Sequence, residues 1–386
     1  MRALTAAALR VSPPLTASGG SSVMRGSRVG LAALCAVLAT ALHLPVAEAA
    51  QPELAGEVEF GGGAIVEFVP SGEDAVLVLG EMPDGFSISS LDFVSGAVTK
   101  LVSYTYLSRF MPADLPAAEL ALHFNPLTGL LILAPRSGRT FPLALDITDA
   151  PYLTRYRLGV PQDYVVDGIA FLGGKAVLYP RLLSGDGGCS SLLVFRPGED
   201  ELKELRPARK FAVVRQILPV GEDERVIIRG YFSPEARGTA SELAWLNLGT
   251  GGVDVIPGTN QVLLADARAG RLALVRRVDS RTAPADQPAP AFRLELFSLV
   301  NLAQPVSSVP LFSRPEWLGL ARDGRSVFLV TEAAAEGSNL WHVDCATREK
   351  TLARAGAGSA RMSPNGAGCF AFVPVENSVE LYTLKQ

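Results

Sequence analysis

The amino-acid sequence predicts an all-β fold of seven four-stranded antiparallel sheets, closed into a ring by an N-terminal strand. One strand–turn–strand unit recurs seven times, at an average spacing of about 49 residues. Glycine and proline are frequent, at 37 and 27 of 386 residues, as a fold with many tight turns requires. The last copy lacks one strand, while a spare strand-like segment precedes the first copy. Repeats of this length with four strands each are typical of propeller blades, so we expect a seven-bladed β-propeller.

The first copy shows the whole unit. A first strand ends in the turn Val69-Pro70-Ser71-Gly72, and the apolar run Ala75–Leu79 follows as a second strand. Leu91–Val94 and Val98–Leu101 then supply the third and fourth strands, separated by a Ser-Gly turn. Short apolar runs bounded by turn residues are typical of strands in consecutive hairpins. Each copy is therefore predicted to fold as one antiparallel sheet.

Six further copies share a first turn that is followed by an apolar second strand. Turn and strand lie at Phe124–Gly129 and Leu130–Leu133, Phe171–Gly174 and Ala176–Tyr179, Ile217–Glu224 and Val226–Ile228, Leu264–Gly270 and Leu272–Val275, Leu320–Gly324 and Val327–Val330, and Met362–Gly366 and Phe370–Val373. A chain of 386 residues on its own suggests two or three domains. The repeats favour one propeller over residues 51–386, preceded by a targeting segment at residues 1–50.

The two ends of the chain carry the pieces of one shared blade. Phe370–Val373 and Val379–Leu384 supply a second and a third strand to the last copy, which has no fourth. Glu57–Phe60 precedes the first copy and belongs to none. If this segment pairs with Val379–Leu384, the seventh sheet is complete and no strand edge is left between the first and last blades. We therefore expect an N-terminal strand to close the ring.

The first 50 residues resemble a secretory signal peptide. The largely apolar stretch Val29–Leu44 follows Arg25 and Arg28 and leads to the small residues of Ala47-Glu48-Ala49-Ala50. Its apolar core of about 16 residues is shorter than the roughly 20 that span a bilayer, which favours removal over an uncleaved anchor. Met24 is an alternative start, and the Ser-rich residues before it also fit a transit peptide. We expect export to a periplasm, to the extracellular space or, in a eukaryote, to an organellar lumen.

Charge and hydropathy narrow the range of partners. The net charge is −4 for the whole chain, and residues 51–386, with 31 basic against 38 acidic side chains, carry −7. Because the basic residues are scattered, the chain repels phosphate backbones at long range, which argues against a nucleic-acid partner. No second apolar run reaches the length of a membrane span. The oligomeric state is left open.

The cysteines permit at most one intramolecular disulfide. Removal of the segment that contains Cys35 leaves Cys189, Cys345 and Cys369, an odd number. Cys345 and Cys369 are both expected near the turns on one face of blades 6 and 7, so they form either a disulfide or two free thiols. Cys189 is expected on the opposite face, as a free thiol.

Two kinds of segment resemble the TolB-type or WD40-like propeller repeat. Met362-Ser363-Pro364-Asn365-Gly366 and Phe68-Val69-Pro70-Ser71-Gly72 are similar to its Ser-Pro-Asp-Gly turn, and Leu340–Asp344 and Phe141–Asp146 are similar to its third strand, which ends in Asp. The resemblance covers about residues 51–386 and implies the fold alone. TolB carries an additional α/β domain before its propeller, for which this chain has no room, so the envelope role of TolB is not implied.

Motifs for catalysis and metal binding are missing from the sequence. Only His123 and His342 remain after residue 50, on different blades, and no Cys-x-x-Cys or His-x-x-x-His spacing occurs. Asp186-Gly187-Gly188 lacks the further acidic residues of a calcium loop. Neither Gly-x-Ser-x-Gly nor a phosphate-binding loop occurs. We therefore expect no metal and no cofactor, and assign no catalytic residue.

One ionisable group stands out in the apolar first strands. Counting back from the turns places seven residues at one equivalent position, namely Glu67, His123, Ala170, Gln216, Leu263, Gly319 and Arg361. Glu67, His123 and Arg361 belong to blades 1, 2 and 7, which are neighbours in a closed ring, so we expect them close together near the central channel. They form either a structural interblade ion pair or a group that orients a substrate. The need to pair buried charges favours the ion pair.

The lengths of the connections predict one binding face. Turns between first and second strands and between third and fourth strands lie on one face of a propeller, and here they are short. The long connections, at residues 103–119, 181–190, 231–241 and 279–290, all belong to the opposite face, which we call the long-loop face. Elaborated loops on a rigid scaffold commonly carry binding sites. The long-loop face is therefore the predicted binding face.

Six large side chains are the predicted binding residues of that face. They are Tyr104, Tyr106, Phe110, Met111, Tyr164 and Trp317. The first four lie in the loop at residues 103–119 and are of types that anchor protein interfaces, with packing over the disc as the alternative. The last two precede first strands and reach either the channel mouth or the core.

The sequence favours an exported, non-catalytic module that binds a protein, a peptide or an envelope ligand through the long-loop face. The rival is a lactonase-like hydrolase or lyase that uses the central channel, with or without a metal. Such an enzyme needs several carboxylates or histidines at the channel mouth, for which Glu119, Asp163, Asp167 and Glu316 are the candidates. A redox-cofactor site lacks any signature.

Overall fold

The computed structural model describes residues 50–385, except residues 84, 113, 139, 149–152, 162–163, 183–190, 200–201, 209–212, 222–223, 233–240, 279–289 and 334–336. Within these residues, 28 strands form seven four-stranded antiparallel sheets. A short helix, α1 (Tyr104–Leu107), and a 3-10 turn (Ala117–Glu119) lie between the first two sheets. The predicted seven-bladed β-propeller is confirmed.

The strands follow one another in hairpins, as the alternation of apolar runs and turn residues predicts. In chain order they are β1 (Gln51–Glu59); β2 (Ala64–Pro70), β3 (Ala75–Met82), β4 (Gly85–Asp92) and β5 (Val98–Val102) in blade 1; β6 (Leu120–Asn125), β7 (Leu130–Pro135), β8 (Leu143–Asp146) and β9 (Thr154–Arg157) in blade 2; β10 (Tyr164–Leu172), β11 (Lys175–Leu182), β12 (Leu192–Phe195) and β13 (Lys203–Leu205) in blade 3; β14 (Val213–Leu218), β15 (Arg225–Tyr231), β16 (Glu242–Asn247) and β17 (Val253–Val255) in blade 4; β18 (Val262–Arg268), β19 (Arg271–Arg277), β20 (Phe292–Ser298) and β21 (Ser307–Leu311) in blade 5; β22 (Pro315–Leu320), β23 (Ser326–Glu332), β24 (Ser338–Asp344) and β25 (Glu349–Ala357) in blade 6; and β26 (Ser359–Met362), β27 (Gly368–Val373) and β28 (Ser378–Lys385).

Blade 7 is assembled from both ends of the described chain. Its strands lie in the order β1, β28, β27, β26, so the N-terminal strand forms its outer edge. β1 pairs antiparallel with β28, with Val58 opposite Val379. The predicted closure by the segment Glu57–Phe60 is confirmed, and the pairing extends back to Gln51.

The apolar core is divided among the spaces between blades. Among the described residues, seven apolar clusters each take side chains from two adjacent sheets. Between blades 7 and 1, for example, Phe370 and Val379 pack with Phe68 and Val78. Because neighbours cover both faces of each sheet, each second strand contains a buried apolar run, and all six residues of β7 are buried.

First strands line the central channel. At six of the seven blade junctions the first strands of neighbouring blades contact each other, and at the junction of blades 2 and 3, β10 contacts β7. Fourth strands such as β5 and β9 are largely exposed and form the rim of the disc. A polar side chain on a first strand is therefore a candidate for the channel wall.

The short-turn face is held together by contacts between blades. Glu73 of blade 1 accepts hydrogen bonds from the Ser363 hydroxyl and the Asn365 amide of blade 7, each at 2.8 Å. Arg268 of blade 5 donates to the Pro364 carbonyl oxygen of blade 7, also at 2.8 Å. These turns therefore help to hold the blades of the ring together.

Asn377 fastens the link between β1 and β2 to blade 7. Its Nδ2 donates to the carbonyl oxygens of Phe60 and Gly63, each at 2.7 Å, and its Oδ1 accepts from the Ile65 amide at 2.9 Å. The φ angle of Asn377 is 49°, in the left-handed region that asparagine adopts more readily than most residues. One residue therefore supports both the turn before β28 and the ring closure.

The described helices are too short or too polar to cross a bilayer. The predicted targeting segment lies outside the described residues except for residue 50, so its removal stays a prediction.

Candidate functional site

The long-loop face is only partly described. Three of the predicted long loops fall mostly on residues 183–190, 233–240 and 279–289, which lie outside the described residues, as do Asp163, Asp186 and Cys189. The loop at residues 103–119 is described except for residue 113, and the shorter connection at residues 136–142 is described except for residue 139. The long-loop face is therefore described through these two connections.

The loop at residues 103–119 packs over blades 1 and 2. Leu107 and Met111 are 0% and 4% exposed and belong to the apolar cluster between these blades. Tyr104, Tyr106 and Phe110 are half-buried against the same cluster. Met111 therefore offers almost no surface to a partner, and a binding role for the three rings stays a prediction.

Aromatic contacts fix the rings of this loop. Tyr106 and Phe110 meet edge to face, with ring centroids 5.5 Å apart. The guanidinium of Arg155 lies 4.2 Å from the centroid of the Phe110 ring, so one face of that ring is covered. Tyr104 packs edge to face on Phe86, at 5.6 Å. The loop is a pre-formed part of the surface.

A cavity of about 340 Å³ opens on the long-loop face between blades 2 and 3. Its walls come from the connection after β7 and from the start of β10. The lining residues are Pro135, Ser137, Gly138, Thr140, Phe141, Pro142, Val160, Pro161, Tyr164, Val165 and Val166. Tyr164, one of the predicted binding residues, is thus a wall of this cavity.

Trp317 lies at the junction of blades 6 and 7. It is half-buried and packs with Met362 in the apolar cluster between these blades. A Cβ atom at position 319 would lie 2.4 Å from the Trp317 ring, so glycine alone leaves room for the indole there. This placement corresponds to the packing alternative, and a binding role for Trp317 stays a prediction.

Glu67 contacts arginines from two neighbouring blades. Its Oε1 lies 3.0 Å from Arg361 Nη2 of blade 7, and its Oε2 lies 2.7 Å from Arg136 Nη2 of blade 2. Burial, with smaller effects of the Arg361 and Arg136 charges, lowers the pKa of His123 to about 4. His123 is therefore neutral near pH 7. The structure brings the three expected residues together, and the role of the group, structural or substrate-orienting, stays a prediction.

Arg136 is not predicted from the sequence, because it follows the second strand of blade 2 and so lies outside the first strands whose equivalent positions are compared. The available signal was a basic residue directly after the apolar run Leu130–Pro135. Its backbone amide donates to the Glu119 carbonyl oxygen at 2.7 Å, which places the side chain at the channel end of the long-loop face.

Five first strands carry a one-residue bulge that the sequence alignment did not reveal. The extra residues are Val66, Asp167, Arg215, Leu263 and Glu316. A bulge shifts the register by one residue and re-aims side chains. Gly168 and Trp317 follow their bulges directly, as Glu67 and Gln216 do in blades 1 and 4, so they share that position in place of Ala170 and Gly319. Functional sites are often found beside such bulges.

The described carboxylate candidates of the rival enzyme each have separate partners. Asp167 contacts Arg181 at 3.2 Å and Arg215 at 3.7 Å. Glu316 accepts a hydrogen bond from the Ser338 hydroxyl at 2.7 Å. Asp167 lies on blade 3 and Glu316 on blade 6.

One trio of acidic side chains in the described part of the chain is close enough to share an ion. Glu57, Glu376 and Glu380 form it on blade 7, away from the first strands. The Arg354 guanidinium contacts both Glu376 and Glu380, and the Tyr382 hydroxyl donates to Glu380 at 2.6 Å. The Arg354 guanidinium thus offsets part of the negative charge of this trio.

Glu119 and the two described cysteines have local roles. The Glu119 carboxylate accepts a hydrogen bond from the Ser137 hydroxyl, which joins two connections of the long-loop face.

Cys345 and Cys369 are free and buried, in different interblade clusters, so the disulfide alternative is wrong. Desolvation raises the pKa of the Cys345 thiol to about 12 and raises that of Cys369 as well, so both thiols are unreactive near pH 7.

Comparison with known proteins identifies the fold. No protein-family model and no curated protein sequence matches the chain. Raptor from Chaetomium thermophilum superimposes with a TM-score of 0.57 at 12% identity, over 88% of this chain and 29% of the Raptor chain. The WD40 β-propeller domain of Doa1 and the Neurospora crassa Pan2 WD40 domain each give a TM-score of 0.53 at 12% identity, over 87% of this chain and 98% and 96% of theirs.

This likeness shows a shared fold and no more, because identity is low and the chain spans under a third of the Raptor chain. The WD40-like resemblance is confirmed at the level of fold. The narrower TolB-type assignment stays a prediction.

Proposed function

We propose that this propeller is a non-catalytic interaction module that binds a segment of a partner protein on its long-loop face. The cavity between blades 2 and 3 is the observation that carries the proposal. Two further features support it. Turns of blades 1, 5 and 7 on the short-turn face bind one another, and two of the similar solved structures are described as WD40 domains, a scaffold on which exposed connections carry function.

The cavity combines apolar rings with a mainly polar accessible lining, so it suits a peptide segment that carries both polar and apolar groups. Pro135, Pro142 and Pro161 have no N–H group, so their rings present apolar surface. Phe141 and Tyr164 add aromatic faces. A volume of about 340 Å³ lies at the low end of ligand sites, which run from roughly 300 to 1,000 Å³. The site therefore has room for one or two anchoring side chains of an extended segment.

The cavity is also stiffened from outside. The hydrogen bond from Ser137 to Glu119 ties one wall to the loop at residues 103–119, and the Arg157 guanidinium lies 5.9 Å from the centroid of the Phe141 ring. A pre-formed site loses less conformational entropy on binding than one that must be ordered.

A photo-crosslinking amino acid at position 140 tests the proposal. Thr140 lines the cavity, and the matched control is position 127, since Leu127 is 81% exposed in the short turn of the same blade. We expect position 140 to capture a defined partner segment in native extracts, identified by mass spectrometry, and position 127 to capture none of it. Equal capture at both positions would refute the assignment of the face.

We also propose that the chain is exported after removal of residues 1–50, on the basis of the sequence alone. The mature protein should be found outside the cytosol with its N-terminus near residue 51. Leu34→Arg, in the apolar core of the segment, should retain the full-length chain in the cytosol. A wild-type protein that keeps residues 1–50 in the cytosol would contradict export.

A further inference from the structure

Blades 3 and 4 place three guanidinium groups beside one carboxylate on the channel wall. Asp167 and Arg215 are the bulge residues of β10 and β14, and Asp167 contacts both Arg215 and Arg181. Arg229 lies on β15, next to β14, where the charge of Arg215 acts on it. These four side chains carry a net charge of about +2 in a chain that is acidic over residues 51–386. We call Arg181, Arg215 and Arg229 the arginine group.

Arg229 has only uncharged partners among the described residues. Its Nε donates to Gln216 Oε1 at 3.0 Å, and its Nη1 donates to the Leu263 carbonyl oxygen at 2.7 Å and to the Ser241 hydroxyl at 3.4 Å. Desolvation by burial lowers the pKa of Arg229, since burial disfavours its charged form. Proteins normally place an opposite charge beside a buried cation. Within the described ranges, the hydrogen bonds orient this guanidinium without bringing a negative charge to it.

The arginine group lies in the half of the channel next to the long-loop face. β10 and β14 start at that face, and their bulges fall near those starts. Arg181 lies one residue from the end of β11, where the chain returns to the same face. The Arg181 and Arg215 side chains are 37% and 32% exposed, so both can be reached by a ligand.

We infer that the arginine group binds side-chain carboxylates of an acidic segment of the partner, an inference that rests on the proposed function. A guanidinium donates two parallel hydrogen bonds to a planar oxyanion, whether carboxylate or phosphate. The three guanidinium groups belong to three different strands, β11 of blade 3 and β14 and β15 of blade 4. This distribution fits a chain with several carboxylates better than one compact ion.

Direct titration with defined peptides tests the inference. The probe is a terminally blocked hexaglutamate peptide, hexaglutamine is the neutral comparison, and binding is measured by calorimetry. Arg215→Ala should weaken hexaglutamate binding about tenfold or more, as expected for loss of a charge-assisted hydrogen bond. Arg322→Ala, on an exposed residue of the short-turn face, changes the net charge equally and should leave the affinity unchanged. The melting temperatures of both variants verify that they fold.

Each outcome decides the inference. It is supported if hexaglutamate binds, hexaglutamine does not, and Arg215→Ala alone weakens binding. It is overturned if both variants lose affinity equally, if neither peptide binds, or if inorganic phosphate binds more tightly than hexaglutamate, because the ligand is then a free ion. Capture from position 140 is a separate readout. If position 140 captures a partner but hexaglutamate does not bind, the proposed function is supported and the inference of an acidic segment is wrong. If hexaglutamate binds but position 140 captures no partner, the arginine group is supported as an anion site and the cavity is not the docking site.

Discussion

Replacement of Asn377 tests the ring closure most directly. Asn377→Ala removes three hydrogen bonds, to Phe60, Gly63 and Ile65. A hydrogen bond contributes about 1 kcal/mol, and one of these three is exposed, so their loss should cost about 2 to 3 kcal/mol. Alanine at a φ of 49° adds about 1 kcal/mol of backbone strain. The free energy of unfolding should therefore fall by about 3 to 4 kcal/mol.

Two further variants separate these contributions. Asn377→Gly loses the same hydrogen bonds without the backbone strain, so it should be about 1 kcal/mol more stable than Asn377→Ala. Asn301→Ala removes an exposed asparagine whose Oδ1 accepts only a local hydrogen bond from Ala303, and should cost under about 1 kcal/mol. Chemical denaturation followed by tryptophan fluorescence measures all three. A loss of stability in Asn377→Ala no larger than in Asn301→Ala would refute the assigned role in closure.

Three more predictions concern buried groups. The pKa of His123 is about 4 in the folded protein against its ordinary value of 6.5, so the unfolded chain takes up the proton first as the pH falls. The free energy of unfolding should therefore decline between pH 6.5 and pH 4. In pH-dependent denaturation, His123→Gln should lack this contribution to the decline. Cys345 should resist alkylation by iodoacetamide in the folded protein and react fully once unfolded, as read by mass spectrometry; rapid labelling of the native protein would contradict its burial. Gly168→Ala places a methyl group 1.9 Å from the Tyr179 hydroxyl oxygen and should destabilise the fold by about 1 to 3 kcal/mol. Gly159→Ala is the control, because the space around Gly159 is open, and it should be nearly neutral. Equal melting temperatures of the two variants would show that the Tyr179 ring moves aside freely.

The repeats made the fold predictable, because strand and turn chemistry is local. Each apolar run between turn residues became a strand, and the spare segment before the first copy became part of β1. The loop at residues 103–119 illustrates the limit of this reasoning. Its composition fits a binding surface and a packed cover equally, and the burial of Leu107 and Met111 could not be read from it.

The channel wall was predictable in part. Glu67, His123 and Arg361 could be brought together by counting back from the turns, because the first strands of blades 2 and 7 have no bulge and that of blade 1 has its bulge beyond Glu67, at Val66. The arginine group could not, because a bulge adds one residue without leaving a mark in the sequence. A charged residue that interrupts an apolar strand, such as Arg229 after Val226–Ile228, was the available signal.

The pairing of β1 with β28 also sets the order of events during folding. Gln51 pairs with Lys385, so the contact that completes the ring joins almost the first and the last described residues. Contacts at such separation form late, since the loop they close is long. Blades 1 to 6 can each form from local hairpins as the chain is synthesised, whereas β1 has no partner until the final strand emerges. Until then its free edge and the open sides of blades 7 and 1 are exposed to other chains. Aggregation during synthesis should therefore depend on how quickly the eight residues of β28 become available to pair with β1.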